Sequence, residues 1–289
     1  EADVDNGQKE WGNYVLYRDD LGERLDGHLD RKRTWRETER GQGVVGVSFS
    51  TDCYMDGRAG KITREVVDAI ASHEEYVRVL TRNPILALQD LDVFQDAGEY
   101  VTIGSSIPCM DAEQVGAIEP SAPAPELRLK GLKEFNEHGV QTFVSMSPTY
   151  PTQGKADLRE QLERVAECDP TVVFHEPINP RGGNFEMTVE AARDAGETEL
   201  AEELDALRSR EQWVEYATNH LRWVQEIGRE LDLPVHLWPD KQLIKHVDEE
   251  TAAWLQSWRD RQSPEEFAER EVPGESPPSC PVSQTVIDY

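Results

Sequence analysis

The sequence repeats one pattern, a short apolar and β-branched run that ends in polar residues. The pattern first appears from Val44 to Asp56 as VVGVSFSTDCYMD, and it returns as VRVLTRN, VTIGSSIP, VSMSPTYP and VVFHEPINPRGG. Apolar runs of this length are typical of strands buried on both faces, as in a parallel sheet. Enzymes with α/β folds place their sites where such strands end. The pattern therefore predicts a parallel sheet whose carboxyl ends form one functional rim.

Helical patterns separate these runs. Leucines four residues apart predict an amphipathic helix over Asp19–Trp35, and the pair Asn83-Pro84 predicts the start of a helix that runs to about Asp96. Strands that alternate with helices through six units indicate an α/β fold with a parallel sheet and right-handed crossovers. A doubly wound sheet and a βα barrel both satisfy this pattern. No strand is followed by GxGxxG, so the sequence does not favour a dinucleotide-binding fold.

The chain is long enough, at 289 residues, for one domain of barrel size or for two smaller domains. We predict a partial barrel with a C-terminal helical extension over residues 1–261, including a mostly helical stretch from Glu186 to Asp232. The remaining segment, 262–289, is rich in Pro, Ser and Glu. Such a composition predicts a disordered acidic tail.

The chain is strongly acidic, with a net charge of −27, and only 8 of its 30 basic residues are lysines. This balance is typical of halophilic proteins, whose surface carboxylates hold water and cations; an acidic mesophilic protein is the alternative. Acidic excess disfavours nucleic-acid binding, which needs a basic surface. No apolar run approaches the roughly 18 residues of a membrane span. The polar start has no signal-peptide pattern, which predicts a cytoplasmic protein without membrane contact.

The four cysteines are far apart, at Cys53, Cys109, Cys168 and Cys280, with no CxxC spacing. This spacing gives no local zinc or iron–sulfur motif, and so no metal ligands are predicted within the chain. Without a secretory signal, reduced thiols are expected. Cys53 is the thiol best placed to react because it follows the first strand, although an ordinary half-buried thiol satisfies the pattern equally.

Polar residues at the predicted strand ends are the candidate site. Hydroxyls and carboxylates there suit a sugar diol, and Arg82 suits a carboxylate or phosphate that it can grip through two parallel hydrogen bonds. The serines and threonines could instead cap the helices that follow. No HExxH, GxSxG or Walker motif occurs. The candidates are Ser50, Thr51, Asp52, Arg82, Ser105, Ser106 and Glu176.

The order of these segments resembles one known family. STD-x-Y, LTRNP, IGSSIP, EPSAPAPELRLKGLKEF and SPTYP follow one another over residues 10–185 as in the spore-photoproduct-lyase-like branch of the radical SAM superfamily. The resemblance implies a partial (βα)6 barrel that binds S-adenosylmethionine (SAM) across its strand ends. It also implies a [4Fe-4S] cluster that cleaves SAM to a 5′-deoxyadenosyl radical, which removes a hydrogen atom from the substrate.

The resemblance also assigns roles to single residues. Ser50, Thr51 and Asp52 would lie against the methionine end of SAM, and Arg82 occupies the place of a basic residue on the family's third strand. Ser105 or Ser106 would face the ribose, and Arg128 would reach the SAM carboxylate. Cys53 stands where the family has proline, and we consider it as a hydrogen-atom donor to a substrate radical. Cys53 and Glu176 are thus the candidate catalytic residues.

The sequence departs from the family in one large respect, because it contains no CxxxCxxC. Three thiolates hold the cluster in that family. We expect that the family's first strand and its cysteine segment are absent from this chain. The alternatives are a barrel that binds SAM or another nucleotide without a cluster, a hydrolase or lyase that uses Asp52 and Glu176 as acid and base, and a non-catalytic binding module. The family name alone suggests a nucleic-acid substrate, so the substrate stays unassigned.

Overall fold

A computed structural model describes residues 15–31, 37–38, 41–48 and 51–260. Its centre is a six-stranded parallel sheet. The proposed tail, 262–289, lies outside the described residues. The strands are β1 (Val44–Val47), β2 (Tyr76–Thr81), β3 (Val101–Ser106), β4 (Gln141–Thr149), β5 (Val172–Pro177) and β6 (Val235–Leu237).

The strands pair in chain order, from β1 at one edge to β6 at the other. Right-handed crossovers that always advance in one direction place every connecting helix on the same face of the sheet. A doubly wound sheet instead reverses direction at a switch point. The order therefore removes the doubly wound alternative and matches a partial TIM-barrel-like fold. In the described part, β1 and β6 each pair with a single strand, so the sheet keeps two edges.

A helix follows each strand, and three helices, the longest of 21 residues, connect β5 to β6. None of the helices in the described ranges is long and apolar enough to cross a membrane. The helices are α1 (Leu21–Leu29), α2 (Gly57–Ser72), α3 (Pro84–Ala87), α4 (Leu91–Ala97), α5 (Ala112–Ile118), α6 (Pro125–Glu137), α7 (Lys155–Ala166), α8 (Gly183–Ala195), α9 (Thr198–Ala206), α10 (Arg210–Glu230), α11 (Lys241–Ile244) and α12 (Glu249–Asp260).

Two helix predictions need correction. The helix predicted over Asp19–Trp35 runs from Leu21 to Leu29, and the predicted continuation over 32–35 lies outside the described residues. The helix predicted from Asn83 begins as expected, with its Oδ1 accepting from Leu86 N at 3.2 Å. It is then interrupted by a 3-10 turn at Leu88–Asp90 before α4 begins. A capping residue is a local signal that can be recognised in the sequence. The 3-10 turn depends on how the segment packs against the rest of the fold, and no local sequence signal predicts it.

The two faces of the sheet differ in character. Val77 and Val79 are buried in the apolar core beneath the helices, whereas Arg78 between them lies on the opposite, inner face. On the inner face the Arg78 guanidinium lies 5.5 Å from the ring centre of Phe143 and 5.1 Å from that of Phe174. Such cation–π contacts are attractive. The inner face is therefore lined by aromatic and charged groups, while the outer face holds the main core.

Candidate functional site

The loop after β1 is fixed to the end of β2 by Asp52. One carboxylate oxygen accepts from Thr81 Oγ1 at 2.6 Å and from Tyr54 N at 2.9 Å, and the other accepts from Arg82 N at 2.7 Å. Both oxygens are therefore used within the protein. Asp52 therefore shapes the rim at this point, and the acid–base role considered for it with Glu176 stays a prediction.

A cluster of two arginines and one glutamate lies beside this loop. Arg82 Nε donates to Glu119 Oε1 at 2.7 Å, and Arg128 Nη2 lies 2.6 Å from Glu119 Oε2. Arg128 is fully buried, and it also donates to the carbonyls of Pro123 at 2.7 Å and Ser106 at 2.9 Å. The side chain of Arg82, in contrast, is 44% exposed. The two guanidinium groups share the carboxylate of Glu119, and the negative charge of Asp52 in the neighbouring loop also acts on Arg82.

The different exposure of Arg82 and Arg128 gives the two arginines different roles. Arg82 keeps its terminal nitrogens available at the surface, as an anion-binding fork requires. Arg128 uses its N–H groups to bind two backbone carbonyls and Glu119, so it supports the cluster from the protein interior. Glu119 was not among the predicted site residues. It heads the segment EPSAPAPE, and that position was the available signal.

The two serines at the end of β3 point to opposite faces. Ser105 shares its face with Val101 and Ile103 in the core beneath the helices, and its side chain is fully buried with no hydrogen-bond partner for Oγ. Ser106 shares the inner face with Gly104 and is 6% exposed. Only Ser106 therefore lies on the face that a bound ligand would occupy. In the first loop, Thr51 is exposed, and Ser50 lies outside the described residues.

Cys53 is held in the core beneath the first loop. Its Sγ lies 3.6 Å from the Leu80 carbonyl oxygen, and the side chain packs with the apolar cluster of α2 and β2. Burial, and then the charge of Asp52, raise the pKa of this thiol to about 12. The thiol is therefore protonated at neutral pH. A protonated thiol is a weak nucleophile. The role of Cys53 as a hydrogen-atom donor stays a prediction.

Glu176 belongs to a block of four residues on the inner face of β5 and β6. The register pairs Phe174 with His236, and Trp238 N donates to the His175 carbonyl at 2.9 Å, which sets Glu176 beside Trp238. Alternate residues of a strand share a face. Three aromatic rings and one carboxyl group therefore form a two-by-two arrangement, here called the inner-face block: Phe174, Glu176, His236 and Trp238.

The carboxyl group of Glu176 has an unusual protonation equilibrium. Burial, and then the negative charge of Asp240, raise the pKa of Glu176 to about 7, while Arg259 lowers it to a lesser extent. Asp240 itself is bound by Asn179 Nδ2 at 2.7 Å, by Gln242 N at 2.6 Å and by the guanidinium of Arg181. Glu176 can thus exchange a proton near neutral pH. Asp240 and Trp238 escaped the prediction, although both lie at the end of the last short strand.

Behind the sheet, two buried histidines lock the ends of β4 and β5 to α10. His220 Nε2 lies 2.9 Å from the Gln153 carbonyl and therefore donates to it, so its Nδ1 accepts from Thr149 Oγ1 at 3.3 Å. Thr149 Oγ1 in turn accepts from His175 Nε2 at 3.2 Å. Burial lowers the pKa of His220 to about 4 and holds that of His175 well below its usual value. This chain of hydrogen bonds needs a neutral His220, because its Nδ1 accepts, and burial keeps His175 neutral as well.

The thiols in the described part do not fit an iron–sulfur cluster. Cys109 and Cys168 are buried in the core beneath the helices, and Cys53 lies in a separate apolar cluster. Burial raises the pKa of Cys109 to about 12 and that of Cys168 to about 11, and the three thiols are divided between two separate apolar clusters. Across the described ranges, no group of three potential metal ligands occurs.

Comparison with solved structures identifies the class of fold. SuiB of Streptococcus suis, in a crystal structure bound to S-adenosylmethionine, aligns with a TM-score of 0.51 and 12% sequence identity. The alignment covers 81% of this chain and 47% of SuiB. A second SuiB crystal structure gives a TM-score of 0.48 with the same identity. The chain therefore has the fold seen in the SAM-bound SuiB structure.

Sequence comparison gives one relative without an assigned activity. The uncharacterized protein ORF301 of Acidianus two-tailed virus is 27% identical over 185 residues, which is 62% of this chain. The match spans 58% of ORF301, so the chain corresponds to little more than half of that protein. No protein-family profile matches the sequence.

Proposed function

We propose that this chain is the SAM-binding partial barrel of a radical SAM enzyme, of the spore-photoproduct-lyase-like branch. The order of the sequence segments supports the branch, and the likeness to the SAM-bound SuiB fold supports the superfamily. The carrying observation is Arg82, a half-exposed guanidinium at a strand end, held by Glu119 and backed by a second, buried guanidinium. Such a group suits the carboxylate of SAM.

Each residue has a separate role in this proposal. Arg82 binds the carboxylate of SAM, while Glu119 and Arg128 fix its orientation. Asp52 holds the neighbouring loop, and Ser106 lies on the inner face where the ribose would bind. Bound SAM would supply the 5′-deoxyadenosyl group for radical chemistry. Since Cys53, Cys109 and Cys168 do not suit cluster ligation, we derive no step through a [4Fe-4S] cluster from these residues.

The proposal is tested by ligand pairs that differ in the carboxylate. Calorimetry should show that SAM binds and that Arg82→Gln weakens SAM binding by roughly 10- to 100-fold, the value of a hydrogen bond between charged groups. Binding of 5′-methylthioadenosine, which has the nucleoside but no carboxylate, should be unchanged in the same variant. The control is Arg159→Gln, an exposed arginine on α7 paired with Glu230.

Two results would refute the assignment. Equal loss of both ligands in Arg82→Gln would mean that the arginine only supports the fold of the rim. If the wild-type protein does not bind SAM, the proposal itself is refuted. The radical step is tested separately, by an assay for iron and sulfide after anaerobic reconstitution of a protein that also carries the family's cysteine segment.

A further inference from the structure

The side-chain carboxyl group of Glu176 accepts no hydrogen bond from any residue in the described part of the chain. Glu176 is partly exposed, and no described side chain or backbone N–H donates to it. The nearest opposite charge noted above, Arg259, donates to the Pro239 carbonyl at 2.9 Å and forms no ion pair with Glu176 within 4 Å. A half-buried carboxyl group in this state lacks the partners that normally offset its desolvation.

The aromatic rings around Glu176 are arranged as one surface. The ring centres of Phe174 and His236 lie 5.8 Å apart, and those of His236 and Trp238 lie 6.1 Å apart. Phe174 and Trp238 remain partly exposed. The faces of aromatic rings attract cations, most strongly at Trp. The missing donor and the exposed rings are separate observations, and both favour a ligand group that carries a positive charge and N–H bonds.

We propose that the inner-face block binds a protonated amine or guanidinium group of the substrate. The cation donates to Glu176 and lies against Trp238, while the Phe174 ring already contacts the Arg78 guanidinium. The exposed guanidinium of Arg82 suits an anionic group, whereas Glu176 and Trp238 suit a cationic group at another part of the inner face. The inference rests on the proposed function for its place beside SAM, but the binding of the cation does not need SAM.

Protonation gives this subsite a distinctive signature. The charged groups that face Glu176 are Asp240 after β6 and Arg259 on α12, and Tyr216 of α10 is also near. Because Asp240 is already bound by Arg181 and Asn179, it does not compete for the ligand. With a pKa of about 7, Glu176 is roughly one-tenth ionised at pH 6 and nine-tenths ionised at pH 8. Cation binding should therefore strengthen about tenfold between these pH values.

The test uses benzylammonium as the probe and benzyl alcohol as its neutral counterpart, in calorimetry without SAM. Wild-type protein should bind benzylammonium about tenfold more tightly at pH 8 than at pH 6 and release protons at pH 7. Glu176→Gln should abolish both effects, and Trp238→Leu should weaken binding while it keeps the pH dependence. Glu202→Gln, an exposed position on α9, is the matched control and should behave as wild type.

Three results would refute amine binding at Glu176. Equal affinity for the amine and the alcohol, or an unchanged pH dependence in Glu176→Gln, overturns the proposal, as does the absence of amine binding to the wild-type protein. SAM titrations of the same variants separate this inference from the proposed function. If the amine binds but SAM does not, the subsite stands and the SAM assignment fails; if SAM alone binds, the reverse holds.

Discussion

The buried charge cluster beneath the rim makes a strong prediction about stability. In Glu119→Gln, the fully buried guanidinium of Arg128 would lose the carboxylate that pairs with it in the described part of the chain, while the half-exposed Arg82 would lose a partner that water can replace. Breaking a buried ion pair costs about 3–5 kcal/mol, and an exposed pair costs about 0–1 kcal/mol. We therefore expect Glu119→Gln to lower the free energy of unfolding by about 4 kcal/mol.

Urea denaturation followed by tryptophan fluorescence and by circular dichroism measures this change. The control is Glu126→Gln, which removes an ion pair with Arg164 whose two side chains are 56% and 41% exposed, and it should cost under about 1 kcal/mol. Combining Glu119→Gln with Arg128→Met removes the stranded charge and should recover at least about 2 kcal/mol. A Glu119→Gln variant as stable as the control would refute the reasoning.

Three further predictions concern packing, acid stability and thiol reactivity. A Cβ on Gly104 would lie 2.5 Å from the Phe143 ring, so Gly104→Ala should cost about 1–3 kcal/mol in urea denaturation, whereas Gly116→Ala, with open space on α5, should cost nothing. The pKa of His220 is lowered to about 4 in the folded state, so this residue favours folding fully above its unfolded value, near 6.5, and loses that contribution as pH falls towards 4. Its contribution is about 3 kcal/mol, and His220→Gln should reduce the slope of stability against pH in this window by about one proton; an unchanged slope would contradict the buried neutral ring. With a pKa of about 12, Cys53 should react with iodoacetamide at pH 8 roughly a thousandfold more slowly in the folded than in the unfolded protein, and peptide mass spectrometry showing equal rates would be inconsistent with burial.

The sequence predicts the parts of this fold that depend on local pattern. Apolar runs and their polar ends locate the strands because burial on both faces demands β-branched residues over a short length. The cap at Asn83 is equally local, since its oxygen reaches an amide three residues away. Periodicity alone allowed both a doubly wound sheet and a barrel. The family resemblance favoured the partial barrel, and the strand order supports this choice.

The candidate site was less predictable because its contacts join distant segments. Asp52 bonds to groups about 30 residues away, and Glu119 joins two arginines from different elements. No spacing rule encodes these pairs. The faces of Ser105 and Ser106 could have been read from strand alternation, since Ser105 follows Val101 and Ile103 at intervals of two. The pairing of Glu176 with Trp238 required the register of β6, which a strand of three residues does not reveal.

Hydrogen–deuterium exchange with and without SAM tests directly whether SAM binds at the strand ends, because it locates the ligand on the fold. Bound SAM should slow exchange in the loops after the strand ends, at residues 51–56, 81–83 and 106–109, and in the segment 119–128 that carries the charge cluster. Exchange in α9 and α12 should not change. Slower exchange confined to the outer helices, or no change at any strand end at saturating SAM, would contradict binding at the strand ends.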